Sequence, residues 1–351
     1  MPTFTPENLE KITTELFRAA GASPEEAKAV ATHLIDANLA GHDSHGFIRV
    51  IQYLKQIRDG VIKPGAKVEV AHETPTTAQV DGNWNLGQVV AKRAAELAIE
   101  KARKMQVGCV VARHLGHCGR IGAYAELAAA AGMGAMCCVG SGGGAQIVTP
   151  FGGRKARLST NPMAMALPSG TEGPILMDFA SSVAAEGKLR VYRARKKELP
   201  PQWIVNADGN PSTNPDDFYH GGALMPLGGT VGHKGFCLSF MVEALGGIVT
   251  RDGYCKETKG TFSNGFFIVV FNLEAFVPVE TLKTEVADLA RYVKTSPLAD
   301  GFSEILYPGE KEVKTRKERR NSGIEVEDYT WGRVKEEIAL YKLEQALAPL
   351  P

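Results

Sequence analysis

Gly134-Ala-Met-Cys-Cys-Val-Gly-Ser-Gly-Gly-Gly-Ala-Gln-Ile-Val-Thr-Pro150 runs an apolar strand into a glycine cluster, with Gly140, Gly142 and Ala145 at the G-x-G-x-x-A spacing of a dinucleotide fingerprint. That fingerprint works only when the glycine turn opens a helix, and when an acidic residue about 20 positions later holds the ribose hydroxyls. Here Gln146 to Thr149 are strand-like, Pro150 stops them, and no acidic residue lies between Glu126 and Glu172. The stretch reads as a strand and a plain glycine loop. From Leu127 to Gly153 there is no charge, but glycines and Pro150 break the run, so it reads as buried strands and loops rather than a membrane span.

Working outward, Gly87 to Met105 form an amphipathic helix with Val90, Ala94, Leu97, Ala98, Ala102 and Met105 on one face. A short strand at Gly108–Ala112, a helix from Ile121 to Ala131 and the strand Gly134–Val139 follow. Strands at Met163–Pro168, Ile175–Phe179 and Gly265–Phe271 lack the regular helical crossovers of a doubly wound sheet, so an antiparallel or mixed sheet is expected. Helices are expected over Gly235–Leu245, Val279–Thr295 and Tyr329–Leu347. The first sixty residues read as three helices: one opened by Thr5-Pro6, one by the Ser23/Glu26 capping box, and one from near Gly46 to Gly60. Strand-like pieces appear at Val68–Val70 and Ala78–Gly82, where Asp81-Gly82 signals a turn.

The 351 residues carry 40 Lys+Arg against 39 Asp+Glu, a balance that disfavours nucleic acid and acidic membranes as partners. Six cysteines include no C-x-x-C pair, so they read as reduced, buried thiols. The N-terminus lacks the basic and apolar regions of a secretory signal, and a cytoplasmic location is expected. Lys311–Arg320 is strongly basic, which reads as a solvated face or, less readily, a seat for a ribose 2′-phosphate.

Two H-x-x-H pairs, His42/His45 and His114/His117, would supply four imidazoles to a metal-dependent hydrolase, though no H-E-x-x-H accompanies them. A different chemistry is written in Asp43-Ser-His-Gly-Phe-Ile-Arg49. If one helix carries both His45 and Arg49, their side chains share a face; the guanidinium suits a small carboxylate and the imidazole the neighbouring oxygen. Ser44 is placed to orient His45. A capped surface helix would use the same residues. His117-Cys-Gly-Arg-Ile-Gly-Ala-Tyr124 opens a helix whose free N–H groups offer a phosphate seat or, equally, close helix–sheet packing.

Together, Gly41–Gly46 with Arg49 and Tyr53, His117–Ala125, Pro150–Gly153, Thr160-Asn-Pro162, Asp178–Ser182, Gly187-Lys188, Gly232–Gly235 and Tyr307–Glu310 resemble, in order, the malate/L-lactate dehydrogenase family. The resemblance is closest to its hydroxycarboxylate dehydrogenase B branch. It implies an α/β chain of the α+β type: a largely antiparallel mixed sheet in a non-Rossmann NAD(P)-binding domain (76–295), and a helical domain built from residues 1–75 joined by 296–351. It implies a homodimer using NAD or NADP, NAD slightly favoured, to interconvert a 2-hydroxy acid and its 2-oxo acid, with no metal. A cyclic imino acid reductase is the alternative on the same fold. By the same resemblance His45 is the proton donor with Ser44 as relay, and His117 is the second candidate. Arg49, Tyr53 and Thr160 face the substrate. His117, Cys118, Gly119, Arg120, Ile121, Asp178, Phe179, Ala180, Ser181, Lys188, His233, Lys234, Pro308, Gly309 and Glu310 line the cofactor. The family's Gly-Thr-Asn-Pro is Ser159-Thr-Asn-Pro162 here, and the Thr of its Asp-x-Ala-Thr-Ser motif is Ser181.

Overall fold

Capping chemistry sets the first two helices of the computed structural model, which describes residues 1–256 and 262–348. After β1 (Thr3–Phe4), the Thr5 hydroxyl accepts from Asn8 N and opens α1 (Pro6–Ala19). Ser23 and Glu26 close a reciprocal capping box on α2 (Pro24–Leu39). Each cap contributes about 1 kcal/mol by satisfying N–H groups that a helix start leaves without partners.

The third helix starts later than its sequence suggests. Asp43–His45 form a 3-10 turn, and α3 spans Arg49–Arg58. Asn38, at the end of α2, is the cause: its Oδ1 accepts from Phe47 N at 2.7 Å and its Nδ2 donates to Asp43 Oδ1 at 2.6 Å. A Cβ on Gly46 would lie 2.2 Å from Asn38 Oδ1, so the amide fills the space a wider first turn would need. His45 and Arg49 therefore sit on separate elements, not one helix face.

The sheet begins with β2 (Glu69–Glu73) and β3 (Thr77–Asn85), crosses over through α4 (Gly87–Met105) to β4 (Val107–Leu115), and continues through α5 (Gly122–Ala130) to β5 (Met133–Gly142), β6 (Pro162–Leu167) and β7 (Ile175–Ala180). Asp81-Gly82 makes no turn but lies inside β3, where a Cβ on Gly82 would meet His114 O at 2.7 Å. A smaller unit follows: α6 (Glu186–Ala194), β8 (Ile204–Val205), β9 (Pro211–Ser212), α7 (Pro215–Tyr219) and β10 (Ala223–Leu224). Next, α8 (His233–Glu243) widens into a π-helical turn over Ala244–Val249.

β11 (Ser263–Asn272) then enters the middle of the sheet, giving the order β2-β3-β4-β11-β5-β6-β7, in which only β3 and β4 run parallel. The largely antiparallel mixed sheet is thus present. Gly140–Gly142 do not loop but continue β5 beside β11. Their smallness serves packing, since a Cβ on Gly140 would sit 2.6 Å from Gly247 N in the widened turn.

The chain closes with α9 (Val279–Val293), α10 (Glu310–Ser322), β12 (Ile324–Glu325), which pairs with β1, and α11 (Asp328–Leu340). The expected helix to Leu347 ends at Leu340, although Leu347 stays buried. Apolar side chains of α1–α3 pack with Ile324, Trp331, Val334 and Ile338 from the chain's far end, while α4 and α5 pack on the sheet. The basic run Lys311–Arg320 is not merely solvated. On α10, Arg316 pairs with Asp36 and Glu126 and Arg319 with Asp43, fastening α10 to α2 and α5 and to the turn before His45. Among the cysteines, Cys237 is exposed and Cys109 half-buried; the other four are buried thiols.

Candidate active site

His45 and His117, 72 positions apart in the chain, lie ring against ring with centroids 5.4 Å apart and planes 22° from parallel. The Ser44 hydroxyl sits 2.9 Å from His45 Nδ1. Arg49 completes this corner: Nε donates to Ser44 O at 2.6 Å and Nη1 to Gln52 Oε1 at 2.6 Å, while among the described residues Nη2 has no protein partner. Burial, followed by the Arg49 charge, lowers the pKa of His45 to about 3, so its imidazole is neutral at ordinary pH. The same causes hold His117 well below the usual histidine range. His117 Nδ1 lies 2.6 Å from Tyr53 Oη and 3.2 Å from Gly119 N.

The four paired histidines do not converge. His42 faces Glu312 at 3.4 Å, and His114 is tied to Asp81 at 3.0 Å and stacked on Trp84. Among the described residues no group of three or more His, Cys, Asp or Glu side chains is arranged to hold a metal ion. The hydrolase reading, which needs four imidazoles around one ion, lacks its geometry.

The anion seat expected at the start of α5 is already filled. Asp178 Oδ2 accepts from Gly122 N at 3.0 Å, and a Cβ on Gly122 would lie 2.4 Å from that oxygen. Burial raises the Asp178 pKa against the opposing Arg120 charge. Arg120, only 2% exposed, faces Asp36, Glu126 and Asp178. Cys118 and Ile121 are also buried, and Cys118 N donates to Asn264 Oδ1 at 3.1 Å. Of the 117–121 stretch, His117 alone is more than marginally exposed. At the start of α5 the Gly122 N–H therefore already holds the chain's own carboxylate in place of a phosphate.

A second line of expected residues is continuous. Thr160 O accepts from both Ser181 N and Ser181 Oγ, Ser181 O accepts from Leu227 N, and Leu227 backbone atoms pack within 3 Å of a Cβ position on Gly235 in α8. The same run reaches α6, where a Cβ on Gly187 would lie 3.7 Å from Ser44 Cβ. Along this line Phe179, Lys188, His233 and Lys234 are exposed and Ala180 is half-buried. Among the described residues the N–H groups of His233, Lys234 and Gly235 in the first turn of α8 meet no protein acceptor, which suits them to an anion. At the start of α10, Pro308 O accepts from Leu176 N, Gly309 has φ +92°, and Glu310 is occupied by Lys294 and Tyr307 N.

With this geometry in view, comparison with known proteins is decisive. The malate/L-lactate dehydrogenase family matches residues 4–335. The chain belongs to that family. Malate dehydrogenase of Pyrococcus horikoshii is 38% identical over 87% of this chain and 86% of its own length. Hydroxycarboxylate dehydrogenase B of Escherichia coli O157:H7 is 36% identical over 93% and 91%. Among solved structures, malate dehydrogenase from Entamoeba histolytica superposes with a TM-score of 0.93 at 31% identity, covering 100% of this chain and 99% of its own. A Pseudomonas syringae delta1-piperideine-2-carboxylate reductase superposes at 0.83 with 27% identity, covering 96% and 100%. As a family member, the chain carries several site-shaping residues that its motifs do not announce. Gln88 reaches Tyr53, Gln52 holds Arg49, Asn38 shapes the His45 turn, and Asn264 holds the Cys118 backbone. For Asn38 and Asn264 a partial signal did exist, namely a buried amide at the end of a largely apolar helix or strand.

Proposed function

We propose that the protein is an NAD(P)-dependent dehydrogenase interconverting a small 2-hydroxy acid and its 2-oxo acid at the His45–His117–Arg49 corner. The observation that carries this reading is a guanidinium fixed to the Ser44 carbonyl beside a neutral, partly buried imidazole. Arg49 Nη2 takes the substrate carboxylate, and His45 exchanges a proton with the oxygen on the adjacent carbon. In oxidation the neutral His45 accepts the hydroxyl proton. In reduction it delivers one, and the substrate carboxylate assists by cancelling the Arg49 charge that otherwise opposes the imidazolium. Ser44 orients the ring and Thr160 borders the substrate.

The residues fit a nicotinamide dinucleotide. The uncapped start of α8, with His233 and Lys234, suits the diphosphate, and the Asp178–Ser181 run with Lys188 lies along the way back to Ser44. When bound, the cofactor supplies or takes the hydride at the substrate carbon. Buried Cys118, Arg120, Ile121 and Glu310 support the walls of this site from behind. NAD is the favoured form, and thermal shift with NADH against NADPH decides the choice, because a ligand of the native state raises the melting temperature.

We also assign a homodimer, because Phe240 (59% exposed), Met241, Ile248 and Val249 leave an apolar face on α8 and its widened turn; light scattering is expected to return twice the chain mass. Among the described residues no helix is long and apolar enough to cross a membrane.

The direct assay follows reduced nicotinamide absorbance with a panel of 2-oxo acids. Consumption is expected with at least one, and no consumption with any of them overturns the reading. The piperideine-2-carboxylate reductase likeness favours one second reading, a cyclic imino acid as substrate. An imine turned over in preference to its oxo-acid counterpart would replace the first.

A further inference from the structure

The polar chain behind His117 uses residues that the proton exchange itself does not need. Gln88, in the first turn of α4, donates from Nε2 to Tyr53 Oη at 3.1 Å, and Tyr53, on α3, stands 2.6 Å from His117 Nδ1. Both are buried, at 2% and 1% exposure, so a substrate has little of either side chain to touch.

The direction of these bonds follows from the two contacts on Nδ1. Gly119 N–H points at His117 Nδ1 from 3.2 Å, and a peptide N–H cannot become an acceptor. That donor favours an unprotonated Nδ1, but at 3.2 Å it is the longer of the two contacts on this nitrogen, and the 2.6 Å contact with Tyr53 Oη decides the tautomer. Tyr53, accepting from Gln88, sends its own hydroxyl proton to the same nitrogen, and the imidazole's single proton is left on Nε2. An imidazolium would set an N–H against the Gly119 N–H. Only glycine brings that donor here: Gly119 has φ +75°, and a Cβ would lie 2.3 Å from His33 Nε2. Asn264 Oδ1, accepting from Cys118 N, pins the loop on its other side.

We propose that Tyr53 and Gln88 are positioning residues that hold His117 as the neutral Nε2–H tautomer, so that His117 gives the substrate oxygen a hydrogen bond while His45 alone exchanges the proton. The kinetic half of this assignment rests on the function proposed above; the tautomer half does not. It also moves Tyr53 from touching the substrate to acting through His117.

Imidazole nitrogen NMR on the free protein reads the tautomer directly. The wild type is expected to show His117 protonated on Nε2 alone and unchanged from pH 8 to pH 5.5. Tyr53→Phe, which preserves the ring's packing, and Gln88→Leu are expected to give a mixed or titrating His117. In turnover of the best hydroxy acid, Tyr53→Phe should lower kcat by about 10²-fold with KM within about twofold, as misplacement of a reacting group does. Gln88→Leu should follow in the same direction with a smaller loss. A wild-type His117 protonated on Nδ1 overturns the proposal, as does a tautomer unmoved in both variants. An altered tautomer with unchanged kcat overturns the kinetic half. Failure of the wild type to act on any 2-hydroxy acid strikes the proposed function instead, and leaves the NMR result standing.

Discussion

His45 and His117 face each other across 5.4 Å, yet the chain secures them in different ways. The turn bearing His45 is held chiefly from nearby: Ser44 on its ring, Arg49 on the Ser44 carbonyl, Asn38 beneath Gly46. The loop bearing His117 is held from afar, by Tyr53 on α3, Gln88 on α4 and Asn264 on β11, besides its own Gly119. A local device writes itself into a short motif. A remote one leaves only single polar residues scattered along apolar elements, and its purpose emerges when the fold joins them.

The contrast can be broken at either end. The largest effect is expected at His45, the one group assigned the proton. His45→Ala should reduce turnover by about 10²- to 10⁴-fold, the usual worth of a positioned acid–base group, measured as kcat with saturating cofactor. If His117→Ala is the more damaging of the two, the roles are reversed. Arg49→Lys comes next. An ammonium cannot reproduce both the bond to Ser44 O and the grip on a carboxylate, so KM for the acid should rise about 10- to 100-fold while kcat changes less. An unchanged KM removes Arg49 from the substrate.

The third effect is on stability, and it treats the buried histidines alike. His33, His45 and His117 all have pKa values below the usual histidine range in the fold, each chiefly through burial. In the unfolded chain they titrate near 6.5, so below that pH the unfolded state binds more protons than the native one. Their stabilising neutrality is complete above about pH 6.5 and is lost as pH falls toward the depressed folded values. The melting temperature should therefore be lower at pH 5 than at pH 7; equal values would mean that these rings are not buried neutral in solution.

The same division explains what could be read from the chain. The Ser23 box, the α4 stripe from Val90 to Ala102 and the antiparallel character of the sheet follow from local pattern, and the structure contains them; Met105, at the end of that stripe, is exposed. The start of α3 was not legible, because Asn38 decides it from the preceding helix. Nor was the filling of the α5 start by Asp178, which reaches it from β7, 56 positions later. The basic run on α10 looked solvated because its partners, Asp36, Glu126 and Asp43, lie far upstream. Glycine spacing shows where a backbone can be approached closely; it does not show whether a ligand, another strand or the chain's own carboxylate makes the approach.

The central claim is that a single imidazole, His45, carries the proton. Its sharpest test is the pH dependence of kcat/KM for oxo-acid reduction in the wild type beside His45→Asn. With His45 neutral in the free protein, the account predicts a fall of about tenfold per pH unit between pH 6 and 8 as the imidazolium becomes scarcer, and loss of that slope in the variant. A slope that persists in His45→Asn, or a flat wild-type profile, contradicts it.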